Sequence, residues 1–199
     1  MPPEPRVLPR FAAEPPQESL PYGRFQTRLL EALLAAMERM EGAPAELGEL
    51  GEVVWYPDRS WHGRTYIPAT AQTSGGYEIF GYVRMLNAES ELEGHADFTD
   101  ATAEEHPEWQ IDVCEETIGR WRGEGGAEAS MTLVWGRPLK AGGALATAEL
   151  ADLAVDQCTL VEERFTLIAP DDYRGDLLEI KLWDSRGREI ARESLYEGE

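Results

Sequence analysis

Aromatic rings interleaved with arginines are the part of this chain best suited to hold another molecule. Trp55, Tyr56, Arg59, Trp61, His62, Arg64 and Tyr66 fall within one short stretch that is not acidic. A ring face beside a guanidinium can stack a planar or anionic group, and sugars favour such platforms too. Trp61 sits between Ser60 and His62, in a segment bounded by Pro57 and Pro68. That is the placement of a loop tryptophan, and loops carry a disproportionate share of binding residues. Trp61, His62, Arg64 and Tyr66 are therefore the first candidate contact set for a ligand or partner. Arg120, Trp121 and Arg122 form the second, with two arginines flanking an indole that they can cover by cation–π stacking.

Carboxylates offer a different chemistry. An acid and a base from Asp112, Glu115 and Glu116 would serve proton transfer if burial separated their pKa values. With 38 acidic residues in the chain, however, neighbouring carboxylates arise by chance and discriminate nothing. The three histidines, His62, His95 and His106, lie in expected loops. Imidazole and carboxylate together suit zinc, iron or manganese, but His95 and His106 are 11 residues apart and lack helical or strand-spaced partners. Glu89, Glu91, Glu93, Asp97, Asp100, Glu104, Glu105 and Glu108 surround Gly94 without the regular ligand spacing of a calcium loop. No metal centre is expected. GxGxxG, P-loop, HExxH, GxSxG and CxxC patterns are all missing, so no cofactor is expected either.

Charge narrows the partners. Against 18 Lys and Arg stand 38 Asp and Glu, a net charge of −20. Nucleic-acid phosphates and anionic membranes are bound through basic clusters, so neither is an expected partner. A basic protein is the natural complement. Cys114 and Cys158 are too few to staple a secreted scaffold and fall inside strand-like patterns, where free thiols pack as small hydrophobes. The first residues, Met1 to Arg6, lack a basic region followed by an apolar run, and no segment nears ~18 uninterrupted apolar residues. A cytoplasmic location is the expectation.

The elements that position these groups follow from periodicity. Prolines at positions 2, 3, 5, 9, 15, 16 and 21 make residues 1–22 a proline-rich tail without regular structure. Residues 23–199 are expected to form one mainly-β domain. It opens with an amphipathic helix over 24–41, whose Phe25, Leu29, Leu30, Leu33, Leu34, Ala36, Met37 and Met40 share one side; Gly42 and Pro44 end it. Short strands follow at 53–56, 64–67 and 77–86, the second running up to Pro68. Residues 87–108 read as an acidic surface loop. Trp109–Cys114 and Ala129–Trp135 alternate as a hairpin around the glycines at 123–126. Ala144–Val155 and Cys158–Ile168 make a second hairpin joined at Asp156-Gln157, with a bulge near Glu162-Glu163. Leu177–Trp183, the turn Asp184-Ser185-Arg186-Gly187, and Arg188–Tyr196 make the last. About seven to nine hairpin-linked strands argue for an antiparallel β-sandwich or barrel with one N-terminal helix.

Gly119-Arg120-Trp121 resembles the GxW at the first strand of lipocalin-like barrels, where the tryptophan closes one barrel end. The likeness is confined to these residues, and too little chain follows them for eight further strands, so the family is not assigned.

Three functions are open on this reading. The first is a non-enzymatic protein-interaction module that meets a partner, or a second copy through its helix or an edge strand. A small-ligand barrel is the second, with an interior lined by Trp109, Met131, Trp135 and Phe165 and an arginine at its mouth for an apolar or anionic ligand. The third is a carboxylate-dependent enzyme using Asp112, Glu115 and Glu116.

Overall fold

Helix α1 (Gly23–Met37) forms because Leu29, Leu33 and Ala36 recur at the spacing that puts them on one buried stripe. It stops short of the residue 41 expected from its pattern. The amides of Arg39 and Met40 turn back onto the carbonyls of Ala36 and Met37 at 3.0 and 3.1 Å, closing the last turn before Gly42 takes φ +71°. The computed structural model describes residues 19–85, 91–122, 126–171, 173 and 175–195. Nearly all of the proline-rich tail lies outside them.

Twelve strands among the described residues make three antiparallel sheets and no closed barrel, so the sandwich form of the expected fold is the one adopted. The first sheet holds β1 (Val54–Trp55), β2 (Arg59–Trp61), β3 (Arg64–Gln72), β4 (Glu78–Met85) and β5 (Leu92–Thr99), in the order β1-β3-β4-β5 with β2 also on β3. The second is built from β6 (Ile111–Arg122), β7 (Glu128–Pro138) and β10 (Phe165–Asp171), in the order β10-β7-β6. In the third, β8 (Leu145–Leu150), β9 (Leu153–Thr159), β11 (Leu178–Trp183) and β12 (Glu189–Ser194) take the order β12-β11-β8-β9.

Several boundaries differ from expectation for definable reasons. The expected loop 87–108 contains β5, paired along its length with β4; residues 86–90 lie outside the described set. Its composition reads as loop because Gly94 and Ala96 are small, and they are small because α1 lies on them. A Cβ at Gly94 would collide with the Ala32 carbonyl oxygen. Strand β3 runs through Pro68 instead of stopping there. The Pro68 carbonyl accepts the Tyr56 amide at 2.9 Å, and the proline nitrogen faces the same way, toward the gap between β1 and β2, so one ladder bond is lost there without ending the strand. The expected pairing of Ala144–Val155 with Cys158–Ile168 does not form: the chain turns earlier, at Ala151-Asp152 and not at Asp156-Gln157, with both residues at positive φ (52° and 61°) as a two-residue hairpin turn demands, and Phe165–Ile168 pairs with β7 instead. Glu162-Glu163, at φ 49° and 60°, is a tight turn between Val161 and Arg164 and no bulge. The last hairpin is as expected: Asp184 Oδ1 accepts the amides of Arg186 and Arg188 at 2.8 and 3.0 Å, and Gly187 takes φ +75°.

These elements stack in four layers: α1, first sheet, second sheet, third sheet. Leu29 and Leu33 of α1 pack on Ile67, Ala69 and Val83. The opposite face of the first sheet, through Tyr66, Phe80 and Tyr82, meets Met131, Leu133, Trp135 and Ile168 of the second. On its far side the second sheet sets Val134, Phe165, Leu167 and Ala169 against Ala146, Ala148, Leu178, Ile180 and Leu182 of the third. All seven residues of β10 are buried in consequence. Leu133 and Val134 are adjacent, 0% exposed and in different cores, each contributing roughly 1.5–3 kcal/mol. Both thiols are free, as expected, and Cys158 belongs to the core between the second and third sheets.

One carboxylate joins the three sheets. Asp156 on β9 pairs through Oδ1 with the buried Arg59 guanidinium of β2, and its Oδ2 accepts the Ile168 amide of β10 at 2.9 Å. Burial pushes the Asp156 carboxyl up from its ordinary value, and Arg59 opposes that rise. Removing one partner leaves the other charged and buried, so Asp156→Ala or Arg59→Met is expected to cost about 3–5 kcal/mol in urea unfolding. The double variant Arg59→Met/Asp156→Leu should recover much of that loss; additive losses would show that the pair is not coupled.

Candidate functional site

The first aromatic set is a strand hairpin. Trp61 pairs with Arg64 across the turn His62-Gly63, whose φ values of 53° and 72° make it a two-residue turn of the type that favours strand twist. Trp61 is thus the half-buried end of β2, packed into the core between the first two sheets, and only His62 projects at the tip. Tyr66 is 0% exposed, edge-to-face with Tyr82 at 5.5 Å. Arg64 is half-buried.

The second set meets the first at Gly119. A side chain there would lie 2.9 Å from the Trp61 ring, so glycine is what lets β6 pass the indole. Trp121 then packs edge-to-face on Tyr173 with centroids 6.0 Å apart. Strand alternation sends Arg120 and Arg122 to the face opposite Trp121, and Arg122 pairs with Glu128 at 3.1 Å. The two candidate sets therefore adjoin as core, while His62, Arg120 and Arg122 are the exposed members.

Strand β6 carries acids on both faces, which separates the three carboxylates grouped in the sequence. Asp112 and Glu116 face the first sheet; Glu115 faces the third. On the first side, Glu78 of β4 lies beside Cys114, whose thiol donates to Oε1 at 3.8 Å, while Gln72 Nε2 donates to Oε2. Arg137 Nε donates to Asp112 at 3.0 Å, and the hydroxyls of Tyr56 and Thr70 are 3.3 Å apart nearby. Burial, with Asp112 adding repulsion and Arg137 opposing it, raises Glu78 to about 7. Burial and the Glu78 charge push the Cys114 thiol up, so it is a poor nucleophile. Further along, His95 Nε2 lies 3.3 Å from Glu116 Oε1 and its ring 5.3 Å from Tyr82. Burial raises Glu116, Asp97 adds to the rise and His95 resists it.

On the other side a groove of about 240 Å³ separates β6 from β12. Trp109, Ile111, Val113 and Glu115 line one wall, and Glu193, Ser194 and Leu195 the other. Glu115 Oε2 is buried there without a hydrogen-bond partner. Burial first, then Asp171 and Glu116, raise Glu115 to about 7.

His62, His95 and His106 fall at three separate places, the last stacked on Trp109 at 4.5 Å; no group of three metal-ligating side chains occurs among the described residues. No helix of the described residues is long and apolar enough to cross a membrane. Trp109, Met131, Trp135 and Phe165 do not line one space: Met131 and Trp135 belong to one core, Phe165 to the other, and Trp109 lies on the outer groove. Sequence reasoning missed Glu78 altogether, since a lone glutamate at a strand start carries no local sign of what it faces. No protein-family model, curated protein or solved structure matches this chain.

Glu78 makes stability depend on pH with a definite sign. Its folded pKa lies above the unfolded one, so the protonated carboxyl stabilises the fold at low pH and that contribution is lost as pH rises through about 7, a change of about 3 kcal/mol. Glu78→Gln cannot ionise. Urea unfolding at mildly acidic and mildly alkaline pH should show the variant gaining on the wild type as pH rises; parallel curves would mean that Glu78 titrates normally.

Proposed function

We propose that the protein is a non-enzymatic interaction module that assembles with a second copy of itself through α1 and the adjoining edge of the first sheet. The exposed apolar surface of α1 carries this reading. Tyr22 and Phe25 are 83% and 37% exposed at its start, and Leu34, which helical periodicity places on the other side of the helix from Phe25, is 41% exposed in its last turn. Thr27, Leu30 and Leu34 face Leu50, Val53 and Trp55 across a groove of about 580 Å³ beside β1, an edge strand. An exposed apolar side chain bordering an apolar groove beside a sheet edge marks an association site in an otherwise polar surface.

Charge favours a second copy on this surface over any other. A chain of net −20 repels itself nearly everywhere, yet α1 and its C-terminal turn balance Arg24, Arg28 and Arg39 against Glu31, Glu38 and Glu41. Antiparallel pairing of two helices about Glu31 sets Arg24 of each beside Glu38 of the other, and a two-fold contact repeats that pair. The packed interior and the division of Asp112 and Glu116 from Glu115 weigh against the ligand-barrel and carboxylate-enzyme alternatives.

Native mass spectrometry and sedimentation at two widely separated concentrations test this. A concentration-dependent dimer is expected, with Leu34→Asp weakening it at least about tenfold, or ~1.4 kcal/mol. Arg24→Glu and Glu38→Arg should each weaken the dimer and restore it when combined. A monomer at every concentration, or a dimer indifferent to all three changes, would reject the proposal.

A further inference from the structure

We infer that the groove between β6 and β12 is a binding site for an arginine side chain presented by a partner protein. The site is built from elements other than α1, so it stands or falls separately from self-assembly.

Three features converge on this occupant. Ile111, Val113 and Leu195 supply an apolar lining that suits the methylene stem of a long basic side chain. Trp109 stands in the same groove, held by its stacking on His106 with the two planes 7° apart. An indole fixed in this way offers a flat surface for a guanidinium, which stacks on aromatic faces far better than an ammonium does. Finally, Glu115 Oε2 is enclosed without a donor, and Glu193 lies on the opposite wall. An unmet carboxylate oxygen under an apolar rim is costly alone and strongly favourable once a forked donor reaches it.

The volume fits one side chain and excludes a folded element. A partner peptide would therefore lie over the sheet edges and insert a single residue. The net charge of −20 draws basic segments toward this surface in general, and the groove selects among their side chains. Binding requires the ionised Glu115, which burial opposes first and Asp171 on β10 and Glu116 on β6 oppose further, with Glu193 of β12 on the facing wall. Affinity should consequently rise with pH across neutrality and fall with salt.

The test uses the full chain and capped Gly-Arg-Gly, Gly-Lys-Gly and Gly-norleucine-Gly peptides, read by the assigned Trp109 indole resonance. The arginine peptide is expected to bind at least about tenfold more tightly than the norleucine peptide and more tightly than the lysine peptide. Glu115→Gln should lose about tenfold in arginine affinity with an unchanged melting profile at acidic pH. Trp109→Leu, followed on the Ile111 and Val113 methyl resonances, should erase the preference for arginine over lysine. Equal affinity for arginine and norleucine would reduce the groove to an apolar patch and overturn the proposal. So would Glu115→Gln binding the arginine peptide undiminished. Spermidine competing more strongly than the arginine peptide would overturn it in favour of a free polyamine.

Discussion

Asp156 is where the architecture closes. Strand β10 of the middle sheet is buried along its whole length, so its edge must hide an amide that no neighbouring strand accepts. That amide, Ile168 N–H, is taken by Asp156 from the third sheet, and the charge this brings inside is met by Arg59 from the first. Each group is there because of the other two: without Arg59 the carboxylate would be desolvated and unpaired, and without the carboxylate the guanidinium would be. A second bond of the same kind, the Leu178 amide to Asp171 Oδ1 at 3.0 Å, ties β11 to the middle sheet. Arg164 donates to the Trp55 carbonyl at 2.9 Å and fastens the approach to β10 onto β1. Buried ionic groups of this sort add little net stability compared with a well-packed apolar substitute, but they fix which elements may lie together.

Burial of the middle sheet on both faces also explains where the acids went. A strand between two apolar cores cannot carry charge, and β7 and β10 carry almost none along their buried lengths. Strand β6, at the sheet edge, can. It alternates Asp112, Cys114 and Glu116 toward the first sheet with Val113, Glu115 and Thr117 toward the third. Inward-directed charge on an edge strand is a known defence against edge-to-edge pairing, which suffices as a structural reason for some of these residues. It does not account for Glu115 Oε2, which is buried with no protein donor in reach. The raised carboxyls of Glu78 and Glu115 have one cause in common, desolvation by the sheets packed over them.

The same packing separates interior from surface chemistry. Trp61, Tyr66 and Trp121 are consumed in holding the first two sheets together at one end, leaving His62, Arg120 and Arg122 to meet solvent. Two surfaces with unspent apolar area lie elsewhere: the Leu34 side of α1, and the opening between β6 and β12. Both lie along the margins of sheets, where a layered fold leaves gaps that its own side chains do not fill.

Local pattern was enough to determine the mainly-β class, the β6–β7 and β11–β12 hairpins, the N-terminal helix and the free thiols, because periodicity, turn chemistry and cysteine count act within a few residues. Tertiary structure decided the rest. Gly94 and Ala96 become strand residues only once α1 covers them, and the Ala151-Asp152 turn gives no glycine to announce it. Glu115 and Glu116, adjacent in the chain, were sent to different sheets by the alternation of β6, while Glu78 was brought to Cys114 from 36 residues away. Which face a residue takes is local, but what that face meets is set by how whole sheets stack, and no short window of sequence contains that information.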